Sequence, residues 1–322
     1  MISSPRRSIA ASTRCLSSSL VMSPSPSSRC VAEVPYRRTS PVVTRRGALT
    51  PRGRGLAKMS IWLYKHREEA GDMATLTRPA TLSIETFRAP GEGCLGYLVV
   101  DEPSRTALAI DPRLDQVGAF QETLAARGVR LTHVLDTHTH ADHLSGVRML
   151  ARRTGATVMA HAASKLAGTV ERVTGGTTFE LGTSPVSVLD APGHTPDSLA
   201  VLVDGHLFTG DALFARGAGR TDLMGGSASD LYDTFRRFEA LPDATVVHPG
   251  HDYVGQATTT IGEEKHQNPL LRERDRAALV ARLAVKGAPP ANMSAVLRHN
   301  LGESESPTVA PRDLAPLRDA GP

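Results

Sequence analysis

The sequence predicts a mixed α/β or α+β layered domain, carried between a basic leader and a short tail. Two observations point there. From Ser83 onward, apolar strand-like runs alternate with stretches of helical spacing, and glycines and prolines punctuate the joins. No apolar run reaches the ~20 residues that a membrane-spanning helix needs, which excludes an integral helical membrane protein.

The elements follow in order. Tyr97 to Val100 and Ala107 to Ile110 are aromatic or aliphatic runs separated by the turn-forming Glu102-Pro103-Ser104, a hairpin signature. Val117, Phe120 and Leu124 recur at helical spacing and stop at Gly128, a C-cap residue. Leu131 to Asp136 reads as a buried strand, and Asp142 to Arg153 as a helix closed by Gly155. Strands are expected at Thr157 to Ala160, Val186 to Leu189 and Leu199 to Val203, with Gly205 turning the chain into Leu207-Phe208. A helix over Ser229 to Phe238, a strand over Thr245 to Val247 and a helix over Arg272 to Leu283 complete the pattern.

The chain has 322 residues, 40% of them hydrophobic, enough for a substantial core, and a formal charge of +4. That charge is unevenly placed. Residues 1–72 hold 13 Lys/Arg and 4 Asp/Glu, a net of +9, whereas residues 73–322 hold 24 and 29, a net of −5. The division predicts a disordered basic leader over 1–72, a catalytic domain over 73–302 and a fraying tail over 303–322. An Arg- and Ser-rich, acid-poor leader has the composition of an organelle transit peptide. It is also what an over-extended reading frame looks like, with the true start at Met59 or Met73. A nucleic-acid arm is the third reading, but Tyr36 is the only aromatic before Trp62, too few for base stacking. The expected location is the cytoplasm, or the mitochondrial matrix if the leader is a transit peptide. Of three Cys, only Cys94 falls in the expected domain, which excludes a disulfide scaffold and reads as a small buried residue in a reducing compartment.

The informative stretch is His138-Thr139-His140-Ala141-Asp142-His143, three His and one Asp in six residues directly after a buried strand. A strand end can hold the first imidazole while the following turn brings the others to meet it. Further candidates follow later strands, each beside a glycine that permits close backbone approach: Gly193-His194, Gly210-Asp211 and Gly250-His251. Neutral imidazoles and carboxylates in such a set suit Zn, Fe or Mn. A single Asp ahead of a helix is more often an N-cap, so Asp142 alone carries little weight; the seven together are hard to explain as packing.

On these residues the chain resembles the metallo-β-lactamase superfamily. The match comprises the His-x-His-x-Asp-His block at 138–143, then His194, Asp211 and His251 in order. The resemblance implies an αββα sandwich of two mixed sheets flanked by helices, with the metal site at one edge. Within that superfamily, Gly217-Ala218-Gly219-Arg220-Thr221-Asp222 is similar to the Gly-x-Gly-Arg-Thr-Asp stretch of persulfide dioxygenases. Ala218 departs from relatives that carry Cys there. The resemblance then implies one Fe2+ per chain held by His138, His194 and Asp211, with His140, Asp142, His143 and His251 around it. A two-His, one-carboxylate set leaves positions open on an octahedral iron. The implied substrates are a small thiol persulfide, such as glutathione persulfide, and O2. Arg220 is a candidate for a substrate carboxylate, or else pairs with Asp222; Tyr253 offers a hydroxyl to the substrate, or packs. Asp142 and His143 are candidates for proton transfer.

Glyoxalase II, a thioester hydrolase, is the nearest alternative. There His138, His140 and His194 would bind one ion, and Asp142, His143 and His251 another, with Asp211 bridging two Zn, Fe or Mn ions. The 69 residues after Tyr253 are short for the helical glutathione-binding domain of that family. A non-catalytic metal-binding protein on the same fold is the reading from a different class. No nucleic acid or membrane is expected as a partner, and a homodimer is allowed by the resemblance.

Overall fold

The protein is described by a computed structural model over residues 82–303, apart from 92 and 285. The leader expected at 1–72 and nearly all of the expected tail lie outside these residues.

Two six-stranded sheets pack face to face. The first runs in the order β1 (Leu82–Arg88), β2 (Leu95–Asp101), β3 (Thr106–Ile110), β4 (Arg130–Leu135), β5 (Thr157–His161) and β6 (Glu171–Val173). The second is the meander β7 (Thr178–Leu181), β8 (Ser184–Asp190), β9 (Leu199–Val203), β10 (His206–Gly210), then β11 (Val246–Pro249) and β12 (Thr259–Thr260). Helices α1 (Val117–Arg127) and α2 (Val147–Thr154) cover the first sheet. Helices α3 (Ala228–Glu239) and α5 (Arg276–Leu283) cover the second, with α4 (Ile261–Gln267) beside them and α6 (Met293–Asn300) closing the described chain.

Period-two alternation decides which side chain enters which layer. Along β2, Leu98 and Val100 face Phe120, Leu124 and Leu150 beneath the helices, whereas Tyr97 and Val99 face the opposite sheet. There they meet Val186, Val188, Val201 and Phe208. Ala200, Leu207 and Val247 point out of the second sheet against Leu231, Phe235 and Phe238 of α3. Every residue of β2 and β3 is buried, as strands covered on both faces must be. Each fully buried Leu, Val or Phe contributes roughly 1.5–3 kcal/mol relative to exposure. This is the αββα sandwich that the resemblance implied.

Two helix boundaries differ from the sequence pattern. The helix expected from Asp142 begins only at Val147, so the whole His-x-His-x-Asp-His block lies in a loop. The backbone between the block and the helix is taken elsewhere: Gly146 N–H donates to Pro112 C=O at 2.6 Å, and Leu114 N–H to Leu144 C=O at 2.8 Å. Arg113 and Ser145 thereby form a bridge that competes with helical bonding. The helix expected from Arg272 begins at Arg276, where Asp275 accepts from Ala277 N–H and Ala278 N–H as N-cap. Before it comes α4, set off by a Thr260/Glu263 capping box that the sequence pattern did not separate.

The sheets are joined at one edge. Leu95 N–H donates to Gly250 C=O and Asp252 N–H to Gly93 C=O, both at 2.8 Å, so the start of β2 pairs with the chain leaving β11. The Tyr97 hydroxyl adds a 2.7 Å bond to Pro249 C=O across the sandwich. β3 and β4 are parallel, as are β10 and β11, and the loops leaving β4, β10 and β11 carry the candidate ligands except His194, which lies between the antiparallel β8 and β9.

Candidate metal centre

The loop after β4 is held by residues distant in sequence. Asp111, just after β3 and at φ 50°, accepts from Thr137 N–H at 2.6 Å and from the Thr137 hydroxyl at 2.8 Å. The same carboxylate accepts from His140 Nε2 at 3.2 Å. From α6, Asn300 donates through Nδ2 to the carbonyls of His140 and His143, both at 2.9 Å, and accepts from Ser145 N–H at 2.7 Å. With six loop groups tied in this way, the imidazoles are presented without helical support.

His138, His194 and Asp211 offer donor atoms within 4.8 Å of one another. The hydrogen bonds decide which nitrogen faces inward. The Thr137 hydroxyl spends its proton on Asp111, so its oxygen accepts from His138 Nδ1 at 3.0 Å. His194 Nδ1 can only donate to the Arg220 carbonyl, at 2.7 Å. Both Nε2 atoms are therefore lone-pair donors, and that of His194 lies 3.6 Å from Asp211 Oδ2. Burial, then the neighbouring His140, pushes His138 down to about 3, which keeps it neutral as a ligand must be. Burial would raise the Asp211 carboxyl, but the His251 imidazole and its 2.9 Å hydrogen bond hold it well below the usual carboxylate range.

The remaining candidates adjoin this trio. Ring centroids step from His194 to His138 (4.8 Å), from His138 to His140 (4.2 Å) and from His140 to His143 (4.2 Å). Asp142 Oδ2 lies 3.1 Å from His143 Nδ1 and 3.2 Å from His251 Nε2, so it is a partner of the histidines rather than a helix cap. Burial lowers His143, but the Asp142 carboxylate outweighs it and lifts the imidazole to about 10. Burial likewise disfavours the charged form of His251, yet Asp211 and Asp142 raise it well above its ordinary value. All seven sequence-predicted ligands thus converge.

The donor set fits a divalent cation. His140 Nδ1 and His143 Nε2 are buried without a hydrogen-bond partner, a state that ordinarily costs about 1–3 kcal/mol per group and that a cation relieves. The surrounding backbone is equally close. A Cβ on Gly219 would stand 2.6 Å from Asp211 O and 2.9 Å from His194 Nδ1, and one on Gly250 would stand 2.5 Å from Asp211 Oδ1. The Gly-x-Gly-Arg stretch therefore reaches the site through its main chain.

Arg220 and Tyr253 take different places. The Arg220 guanidinium pairs with Asp222 at 2.6 and 2.7 Å and donates to the carbonyls of Gly287 and Ala288, at 2.7 and 2.8 Å. That is the second of its two expected roles, and it leaves little capacity for a substrate carboxylate. Tyr253 is 55% exposed and stacks on the His251 ring at 5.2 Å, with Phe214 edge-on to it at 5.6 Å. Both form part of the rim of the site.

Three participants carried no recognised sequence signal as site residues. Asp111 ends a buried strand, a position shared by the ligands, and could have been found by that rule. Asn300 sits in a helix with no motif around it. Cys94, read from sequence as a small buried residue, places Sγ 3.3 Å from His251 Nε2 and 3.7 Å from Asp142 Oδ2. Burial raises its thiol, but hydrogen bonds with His143 and His251 bring it down to about 7.

Comparison with known proteins agrees with this geometry. Residues 90–251 match the metallo-beta-lactamase superfamily. The chain is 34% identical over 180 residues to human persulfide dioxygenase ETHE1, mitochondrial, covering 54% of this chain and 70% of that protein. It is 35% identical over 205 residues to hydroxyacylglutathione hydrolase of Halorhodospira halophila, covering 63% of this chain and 79% of that one. Among solved structures, ETHE1 from Myxococcus xanthus superposes with a TM-score of 0.65 at 38% identity, covering 68% of this chain and 98% of that chain. No helix among the described residues is long and apolar enough to cross a membrane. The seven converging His and Asp side chains, the two stacked sheets and this matched span together make the chain a member of the metallo-beta-lactamase superfamily.

Proposed function

We propose that the chain is a persulfide dioxygenase with one non-haem iron at His138, His194 and Asp211. The proposed reaction takes glutathione persulfide, or a similar small persulfide, with O2 and water to thiol, sulfite and two protons. In it the outer sulfur gives up four electrons and O2 takes up four. The observation that carries the reading is the Gly217 to Asp222 stretch, which lies on the trio itself: Gly219 N–H donates to Asp211 C=O at 2.8 Å, and Arg220 C=O accepts from His194. Similarity to the human and Myxococcus ETHE1 proteins supports it.

When bound, the iron supplies the redox change and the positions at which both substrates meet. The chain's own residues supply geometry and proton handling. Two neutral imidazoles and one carboxylate hold the ion while leaving it accessible on one side. Asp142 Oδ2, 3.1 Å from His143 Nδ1 and 3.2 Å from His251 Nε2, joins the trio to a hydrogen-bonded chain of ring nitrogens. Protons can be relayed away through it, each imidazole passing one on as it receives another. Tyr253 and Phe214 form an aromatic rim that orients the thiol end of the substrate and sheds water from it.

The test is metal analysis of anaerobically purified protein, joined to O2 uptake on glutathione persulfide. One iron per chain with persulfide-dependent O2 consumption is expected. Hydrolysis of S-lactoylglutathione without O2 uptake would overturn the reading. That outcome belongs to a second reading, a two-metal thioester hydrolase, which the unpartnered nitrogens of His140 and His143 and the similarity to hydroxyacylglutathione hydrolase favour.

A further inference from the structure

The two imidazoles of the trio come from different layers. His138 leaves β4 of the first sheet and His194 lies between β8 and β9 of the second, yet their rings stand perpendicular with centroids 4.8 Å apart. A main-chain bond from Leu199 N–H to Thr137 C=O, at 2.8 Å, crosses between the two chain segments. The side chain of Asp197 makes a second tie. Its Oδ1 accepts from the Thr195 hydroxyl at 2.6 Å, and its Oδ2 from the Thr139 hydroxyl at 2.5 Å. Thr195 follows His194, and Thr139 stands between His138 and His140, 58 residues from Asp197. A turn holds the carboxylate in place: Ser198 N–H donates to Thr195 C=O at 3.3 Å, Thr195 N–H to Ser198 Oγ at 3.2 Å, and Pro196 restricts the backbone between them. Asp197 and Thr195 are both buried, so water competes little for their bond.

We infer that Asp197 is a positioning residue: its carboxylate straps the two ligand-bearing loops together and sets the separation of His138 and His194. It acts through Thr139 and Thr195, each next to a candidate ligand, and both its oxygens are taken by their hydroxyls. Two loops joined at one point can pivot about it; a second tie at another point stops that rotation. Hydrogen bonds to a carboxylate are about twice as strong as neutral ones, which suits them to the task. A pair of ligands already held at the right separation loses little freedom when an ion arrives, so the strap's contribution appears as metal affinity. A strap fails when either end is cut, and cutting both ends costs no more than cutting one. The inference rests on the proposed reading only in placing an ion between His138 and His194, which the two-metal reading also does.

The probe is Fe2+, titrated anaerobically into the metal-stripped full-length chain in competition with a chelator. Asp197→Ala and Thr139→Val should each weaken the tightest Fe2+ equivalent by about 10–100-fold, and by the same factor. The double variant should lose no more than either single one. Asp197→Asn should keep the parent affinity: its amide nitrogen can face Thr195, whose hydroxyl then turns to Ser198 Oγ at 2.8 Å, while its amide oxygen still accepts from Thr139. A carboxylate acting through its charge would instead lose as much affinity in Asp197→Asn as in Asp197→Ala. That result overturns the inference. So do losses that multiply in the double variant, single variants with unchanged affinity, or a parent that takes up no Fe2+. Thr139 is half-buried and Val matches its shape, so Thr139→Val and Asp197→Asn read the strap even if Asp197→Ala does not fold. Oxygen uptake is read separately on the iron-loaded parent, so a failure of the dioxygenase reading leaves these affinities as they are.

Discussion

The Nδ1–H of His194 donates to the main-chain carbonyl of Arg220 at 2.7 Å, and through it a glycine-rich turn orients one imidazole of the candidate trio. The Arg220 side chain in turn grips Asp222 and the carbonyls of Gly287 and Ala288. The orientation of one imidazole thus depends on a carbonyl whose own residue is anchored on both sides.

Gly219→Ala should expose that dependence. Its Cβ would enter within 2.9 Å of His194 Nδ1 and 2.6 Å of Asp211 O, so the turn must retreat and carry the Arg220 carbonyl with it. The expected outcome is a metal affinity about 10–100-fold lower with circular dichroism unchanged, measured by competition with a chelator. Unaltered affinity would show that the turn does not aim the ligand.

His194→Ala and His251→Ala should separate the two ligand groups. With iron at the first trio, His194→Ala loses iron on desalting, whereas His251→Ala keeps most of it, since His251 acts there only through its 2.9 Å bond to Asp211. Equal loss from both variants, read by elemental analysis, would favour a shared two-metal site.

Asn300→Asp tests the clamp on the ligand loop. The replacement keeps the acceptor for Ser145 N–H but turns the donor to two carbonyls into an acceptor facing acceptors. A loss of roughly 1–3 kcal/mol is expected, visible as a lower midpoint in urea and as faster amide exchange over residues 140–145.

The pH dependence of stability carries a signature of His248. Burial, then its 2.9 Å neighbour His206, pushes His248 down to about 3, so the folded chain refuses a proton that the unfolded chain accepts near its ordinary value. The stability this neutral imidazole contributes is complete above pH ~6.5 and is lost as pH falls toward ~3, by roughly 1–2 kcal/mol at pH 5. His248→Gln should flatten the difference between urea midpoints at pH 7.5 and pH 5. Parent and variant are to be compared metal-free, so that the ligand imidazoles contribute equally to both.

Much of the site was legible because its ligands sit in short motifs at strand ends, where Gly193, Gly210 and Gly250 advertise close packing. The layers were legible only in part. Apolar runs bounded by turn residues identified β2, β3, β8 and β9, but the pairing of two sheets followed from family resemblance, since such a run does not say which strands are neighbours. The helix placed at Asp142 failed because Leu144, Val147 and Leu150 do keep helical spacing, while the backbone before Val147 bonds instead to Pro112 and Leu114. β6 and β7 have only three and four residues, too few to show a period. Cys94 and Asn300 were illegible as site residues because their contacts are made across the fold: Cys94 meets Asp142 48 residues away and His251 157 away, and Asn300 meets His143 and His140 157 and 160 away.

That separation has a consequence for the order of assembly. During synthesis the histidine loop leaves the ribosome well before Asn300 does, because the clamp and the carbonyls it binds are 157 and 160 residues apart. Until α6 is made, the carbonyls of His140 and His143 and the Ser145 N–H lack the partner that holds the three imidazoles and Asp142 in one arrangement. The clamp that fixes this loop is therefore made long after the loop itself, and a chain stalled before α6 would present the histidines without it.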